Sequence, residues 1–165
     1  MQLKKAIVVL TKILDRTETS RARSFHAGKT IVFTNGCFDL LHVGHVRYLA
    51  AARRLGDVLV IGLNSDASVR ELKGPGRPLN SEEDRAEVLA GLEAVDHVII
   101  FCEQRASNLI LELKPDIYAK GGDYTLDTLD PDEVSVLKGI GARIEIVPLV
   151  PGKSTTGLLR TIQQR

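Results

Sequence analysis

From Lys29 onward the chain alternates short apolar runs with helix-like stretches, and this alternation constrains the fold more than any other feature. Thr30–Thr34, Val58–Leu63, His97–Phe101, Asp116–Lys120 and Arg143–Val147 read as five strands. Between and after them Val46–Leu55, Ser81–Leu92, Asn108–Leu113, Pro131–Ile140 and Ser154–Gln164 read as helices. Ser81 is placed as an N-cap with Asp84 at the third helical position, and Pro131 sits at a helix start. Strands with few polar positions, each followed by a helix, predict an α/β domain: a doubly wound, five-stranded parallel sheet with helices on both faces. In such sheets ligands bind beyond the carboxyl ends of the strands, so a motif matters according to where it falls relative to a strand end.

Residues 1–28 follow a different pattern. Leu3, Ile7, Leu10 and Leu14 lie on one helical face, and Arg16–Gly28 reads as a polar linker. The expectation is an N-terminal helical extension over 1–28 and a catalytic domain over 29–165. The chain's 165 residues suffice for a core without disulfide or metal support. The apolar run Ala6–Leu10 is too short for a membrane span or a signal-peptide core. Two cysteines, Cys37 and Cys102, fit reduced thiols in a cytoplasmic protein. The net charge of +1 divides unevenly. Residues 1–28 hold six Lys/Arg against two acids, and the remainder holds sixteen against nineteen. A net-acidic body gives no support for nucleic-acid binding. To handle an anionic substrate it must gather its cations at one place.

The densest group of chemically capable residues follows the first strand: Asn35-Gly36-Cys37-Phe38-Asp39-Leu40-Leu41-His42-Val43-Gly44-His45. At a strand-to-helix crossing, backbone N–H groups and the helix dipole favour a phosphate. His42 and His45 can both face that position, and Gly44 leaves room for close approach. Imidazole N–H groups there can stabilise charge developing on a reacting phosphate. Other readings of the same residues are weaker. A zinc site needs further ligands and lacks the Glu of HExxH, so no metal site is expected. A Cys37–His42 nucleophilic pair has no step to perform, a GxGxxG fingerprint is absent, and a purely structural role for the two histidines is a lesser alternative.

Three later signals also follow strands, the first after Asn64-Ser65-Asp66 ends the second strand. Lys73-Gly74-Pro75-Gly76-Arg77-Pro78 is a basic loop able to grip phosphates through Lys73 and Arg77, although a solvated loop would look the same. Lys120-Gly121-Gly122-Asp123-Tyr124 allows close backbone approach to a ligand through its glycine pair. Lys153-Ser154-Thr155-Thr156 places hydroxyls and a cation at a helix N-terminus. Together the four segments describe a nucleotide site.

The His42-Val43-Gly44-His45 motif and the Ser154-Thr155-Thr156 motif resemble the marks of the cytidylyltransferase-like nucleotidyltransferase superfamily. The resemblance spans about Lys29–Thr161, and it implies a Rossmann-like doubly wound α/β fold. Phe33–Asp39, Leu63–Ser68, Lys73-Gly74 with Arg77-Pro78, Leu92–Asp96 and Lys120–Tyr124 narrow it to adenylyltransferases of D-glycero-β-D-manno-heptose 1-phosphate. That activity also occurs as the C-terminal domain of bifunctional heptose kinase/adenylyltransferases. The resemblance implies transfer of AMP from ATP to the heptose 1-phosphate, with Mg2+ accompanying the triphosphate, for the inner core of lipopolysaccharide. By the same resemblance His42 and His45 contact the triphosphate, with His45 the principal transition-state stabiliser, and Lys73 neutralises phosphates. Cys37 and Phe38 line the nucleotide pocket, while Ser154, Thr155 and Thr156 hold phosphates. The resemblance and the apolar face of residues 3–14 also imply a homodimer, and no membrane partner.

Two departures stand out. Related cytidylyltransferases carry an Arg shortly before the hydroxyl motif, where this chain has Leu149-Val150-Pro151-Gly152 and then Lys153, a candidate replacement. Glu93 stands where some relatives have an Arg. At this length no sugar kinase fits beside the transferase, so a stand-alone transferase is expected. The alternatives are a cytidylyltransferase making a CDP-alcohol such as CDP-glycerol, and a non-catalytic nucleotide sensor.

Overall fold

The computed structural model describes residues 9–122 and 124–148, together with Thr155, Gly157, Leu159 and Gln164. Its sheet contains β1 (Ile13–Leu14), β2 (Ile31–Gly36), β3 (Val58–Asn64), β4 (His97–Phe101), β5 (Ile117–Gly121) and β6 (Arg143–Val147). All pairings are parallel, in the order β1-β4-β3-β2-β5-β6. The α-helices bounded among the described residues are α1 (Thr19–Phe25), α2 (Val43–Arg53), α3 (Asp66–Lys73), α4 (Glu82–Ala90), α5 (Ser107–Leu113) and α6 (Pro131–Gly139).

Strand alternation divides the core into two layers. Val32, Leu59, Ile61 and Leu63 point to one face and pack with Leu49, Ala52 and Leu89 of α2 and α4. Ile31, Phe33, Val58 and Val60 point to the other and pack with Leu109, Ile110, Leu113 and Leu137 of α5 and α6. The chain winds outward from β2 through β3 and β4, then returns to the opposite side of β2 with β5 and β6. The switch point is therefore the crevice at the ends of β2 and β5, where an open α/β sheet binds its ligand.

The expected doubly wound parallel sheet is present, with six strands rather than five. The sixth is β1, from the segment expected to be helical: Leu14 pairs beside Ile99 instead of continuing a helical face. The unpaired edge of β4 offers Ile13 and Leu14 backbone partners that an isolated helix face cannot match. Lys12 fixes the segment by donating from Nζ to the carbonyls of Val95 (2.8 Å) and Leu92 (3.3 Å). Leu3 and Ile7 lie outside the described residues. The stretch expected as a linker is also ordered. Asp15 caps a 3-10 turn over Arg16–Glu18, which leads into α1. Arg23 of α1 pairs with Asp116 at 2.7 Å.

Two further differences concern helices. α2 begins at Val43, three residues before the expected start, because His42 supplies its cap. α3 was not expected at all; Ser65 caps it by accepting from the Ser68 N–H. The expected cap at Ser81 is found, accepting from the Asp84 N–H at 3.2 Å. Among the described residues, no helix is long and apolar enough to cross a membrane.

Candidate active site

The cap of α2 organises the site. His42 is in extended backbone conformation, and its Nδ1 accepts the Gly44 N–H at 3.1 Å. With Nδ1 used as an acceptor, neutral His42 carries its proton on Nε2 and presents a donor. His45 follows one helical turn later, and the two rings stack with centroids 4.0 Å apart. Phe38 closes the other side of His45 at 5.4 Å. Burial, then the neighbouring His42 and Lys73, pull the His45 imidazole down to about pKa 4. At neutral pH it is uncharged, and its buried Nδ1 has no hydrogen-bond partner among the described residues.

The loop between β2 and α2 is under local strain. Phe38 is a buried residue with φ of +44°, a left-handed conformation that costs a side-chain-bearing residue about 1 kcal/mol or more. Two polar anchors hold it there. Asp39, whose side chain is fully buried, accepts the Leu79 N–H at 2.7 Å and pairs with Arg77 at 2.8 Å. Arg85 donates to the Cys37 carbonyl (2.6 Å), the Asn64 carbonyl (2.8 Å), the Asn80 carbonyl (3.1 Å) and Asp66 (2.7 Å). One buried guanidinium thus ties the loops after β2 and β3 to α4. Burial raises the Cys37 thiol pKa even though Lys73 and Arg85 lower it, so it stays protonated and is unsuited to act as a nucleophile.

Beyond these loops a cavity of about 860 Å³ opens over the ends of β2, β3 and β5. That volume falls in the range of sites for cofactors and nucleotides. Of the residues expected from sequence, Asn35, Gly36, Cys37, Phe38, His42, Gly44, His45, Lys73, Lys120 and Thr155 line it. Lys120 is buried, with its ammonium over the rings of Tyr118 (5.3 Å) and Tyr124 (5.1 Å). Thr155 donates from Oγ1 to the Leu40 carbonyl at 3.4 Å, beside the histidine loop. Arg77 and Gly122 are not part of the cavity wall; Arg77 faces Asp39. Asp123, Lys153, Ser154 and Thr156 lie outside the described residues.

The sequence reading missed Arg85, Tyr118 and Glu133. For Arg85 a signal existed: it shares a helical face with Leu89, four residues on, so a charged residue points inward. No comparable signal marked Tyr118 and Glu133. They sit on β5 and α6 and meet only in the folded chain, where the Tyr118 hydroxyl lies 2.6 Å from Glu133 Oε2.

A parallel sheet with an anion-ready helix start, two stacked histidines and a cavity at the switch point defines a nucleotide-handling α/β protein. The cytidylyltransferase-like family model matches residues 33–158, and the chain belongs to this family of nucleotidyltransferases, which act on a nucleoside triphosphate. Within it, the chain is 54% identical over 151 residues to the bifunctional protein HldE of Syntrophotalea carbinolica, covering 92% of this chain and 30% of that protein. It is 55% identical over 135 residues to the HldE of Geobacter sulfurreducens, covering 82% and 27%. The chain thus spans under a third of the length of these relatives. The crystal structure of the lipopolysaccharide core biosynthesis protein from Thermoplasma volcanium superposes with a TM-score of 0.62 at 31% identity, covering 74% of this chain and 98% of that one.

Proposed function

We propose that the chain transfers AMP from ATP to D-glycero-β-D-manno-heptose 1-phosphate, releasing pyrophosphate and forming ADP-heptose for the lipopolysaccharide inner core. The observation that carries this reading is the stacked His42–His45 pair at the start of α2, inside a cavity with Lys73 and Lys120 on its walls. The similarity to the HldE proteins directs the choice of acceptor.

In this reaction a phosphate oxygen of the sugar attacks the α-phosphorus of ATP. The bond from that phosphorus to the bridging oxygen breaks, and pyrophosphate leaves with the electron pair. The attacking oxygen is already anionic, so no protein nucleophile or base is needed. Positioning and charge stabilisation supply the acceleration. His42 donates from Nε2 to a triphosphate oxygen. His45 donates to the charge that builds on the non-bridging oxygens, and its hydrogen bond strengthens as that charge develops in the transition state. Lys73, on the exposed end of α3, neutralises the departing pyrophosphate. Ser154, Thr155 and Thr156, with Lys153, complete the phosphate contacts, and Asp123 flanks the nucleotide, while Gly122, outside the cavity wall, makes no contact with it. Arg77 reaches an acceptor phosphate only by leaving Asp39. Magnesium enters as part of the MgATP substrate, coordinated chiefly by phosphate and water, as is usual for this cation.

We further infer that the protein works in the cytoplasm as a homodimer and that residues 29–165 carry the chemistry. The test is a panel of ATP and CTP against heptose 1-phosphate, glycerol 3-phosphate and phosphoethanolamine, reading pyrophosphate. Release with ATP and heptose 1-phosphate alone is expected. Turnover only with CTP, or binding of ATP without turnover of any acceptor, would overturn the reading.

A further inference from the structure

A buried polar relay reaches the cavity wall at Asn35. Glu133, in the first turn of α6, is buried, and its Oε1 accepts the Ala106 N–H at 2.9 Å. Its Oε2 lies 2.6 Å from the Tyr118 hydroxyl. That hydroxyl in turn lies 2.8 Å from the atom placed as Oδ1 of half-buried Asn35, at the end of β2 beside the switch-point crevice; a half-turn of the amide puts Nδ2 at the same position. The other end of the Asn35 amide has no partner among the described residues and is not enclosed. Asn35 also lines the cavity, so a ligand can reach the free end.

Counting protons gives the relay a direction. Glu133 is acceptor-only, with one oxygen already taken by a backbone N–H. Burial, with Glu133 nearby, pushes the Tyr118 phenol far above its ordinary range, so it always carries its single proton. That proton goes to the nearer and charged acceptor, Glu133. The Tyr118 oxygen is then left with a lone pair, which only the NH2 of the Asn35 amide can fill. The proton count therefore assigns the flipped amide, with Nδ2 donating to Tyr118 and the Asn35 carbonyl oxygen facing the cavity.

We propose that Asn35 is a specificity-determining residue that presents a fixed hydrogen-bond acceptor to the substrates, with Tyr118 and Glu133 as the positioning residues that set its polarity. The inference rests on the transferase reading and deepens it. The site selects a ligand bearing a hydroxyl or amine donor at this point and rejects one with an acceptor there. The donor comes either from the nucleotide (the adenine amine or a ribose hydroxyl) or from a hydroxyl of the acceptor sugar.

The test is Glu133→Gln. A Gln amide can still accept from Ala106, but it offers NH2 to the Tyr118 oxygen. Tyr118 must then donate to Asn35, and the Asn35 NH2 turns to the cavity. The relay is reversed with every partner satisfied. kcat/KM is measured for ATP, purine riboside triphosphate, ITP, 2′-deoxy-ATP and 3′-deoxy-ATP with heptose 1-phosphate, then for ATP with deoxy analogues of a hexose 1-phosphate. In the wild type one donor deletion should cost about 10–100-fold, and its position says whether nucleotide or sugar supplies the donor. In Glu133→Gln that preference should vanish or invert, and Asn35→Ala should flatten it without inversion. Equal loss for all substrates in Glu133→Gln, or a wild type indifferent to every deletion, overturns the proposal. Should the wild type not turn over heptose 1-phosphate, the transferase reading fails instead. Calorimetric binding of the same nucleotides and sugar phosphates then reads the relay directly. If Glu133→Gln does not fold, Tyr118→Phe frees the amide to rotate and should abolish the preference.

Discussion

Burial between His42 and Phe38, with Lys73 nearby, gives His45 its uncharged state and its unpartnered nitrogen. His45→Ala is expected to lower kcat about 10²–10³-fold, the usual loss for one donor to developing charge, with a melting temperature close to wild type. A pyrophosphate assay beside a thermal melt checks both halves. Arg85 acts differently. It touches four acceptors and no part of the cavity's histidine wall, so it supports the loops that carry Cys37 and Asp39. Arg85→Met leaves Asp66 and three carbonyls without their donor and is expected to cost about 3–5 kcal/mol in urea denaturation. At this scale the sequence was informative about function. Histidines spaced by Val43-Gly44 after a strand marked the wall on which the cavity opens, whereas the inward turn of Arg85 is masked by the acidic run Glu82, Glu83 and Asp84 beside it.

Elements meet at two places where a single side chain decides the fit. A Cβ at Gly62 of β3 would lie 2.8 Å from Phe33 Cζ and 3.0 Å from Leu109 Cδ2. Gly62→Ala should therefore overpack the layer beneath α5 and destabilise by about 1–3 kcal/mol in denaturant titration. His26, just after α1, meets His97 of β4 with their Nε2 atoms 2.8 Å apart. Burial is the main cause that lowers both pKa values, and Asp96 opposes the effect. The unfolded chain accordingly binds more protons than the folded one as pH falls below about 6.5, and stability falls with it. Melting temperature should drop from pH 7 to pH 5, and His26→Gln should show a shallower drop. The β strands and most helices were legible because their periodicity is local. β1 was not, because two residues become a strand only when β4 lends them an edge.

For the whole molecule, residues 13–25 complete the sheet and are no detachable appendage. They pair with β4, add Ala22 to the core layer that holds Ile99 and Leu109, and lock to Asp116 through Arg23. Removing residues 1–28 should expose the β4 edge and cost more than about 3 kcal/mol, roughly 6–12 °C in melting temperature, with aggregation visible by light scattering. The amino-acid sequence by itself determined the alternating α/β order, the parallel sheet and the histidine, lysine and glycine motifs at strand ends, because these depend on short-range pattern and on the chemistry of single residues. Tertiary structure alone decided that Arg77 turns to Asp39, that Arg85 clamps two loops, and that Glu133, Tyr118 and Asn35 form one relay. Those partners lie from 15 to 83 residues apart in the chain, and only the winding of the sheet about β2 brings them within hydrogen-bond distance.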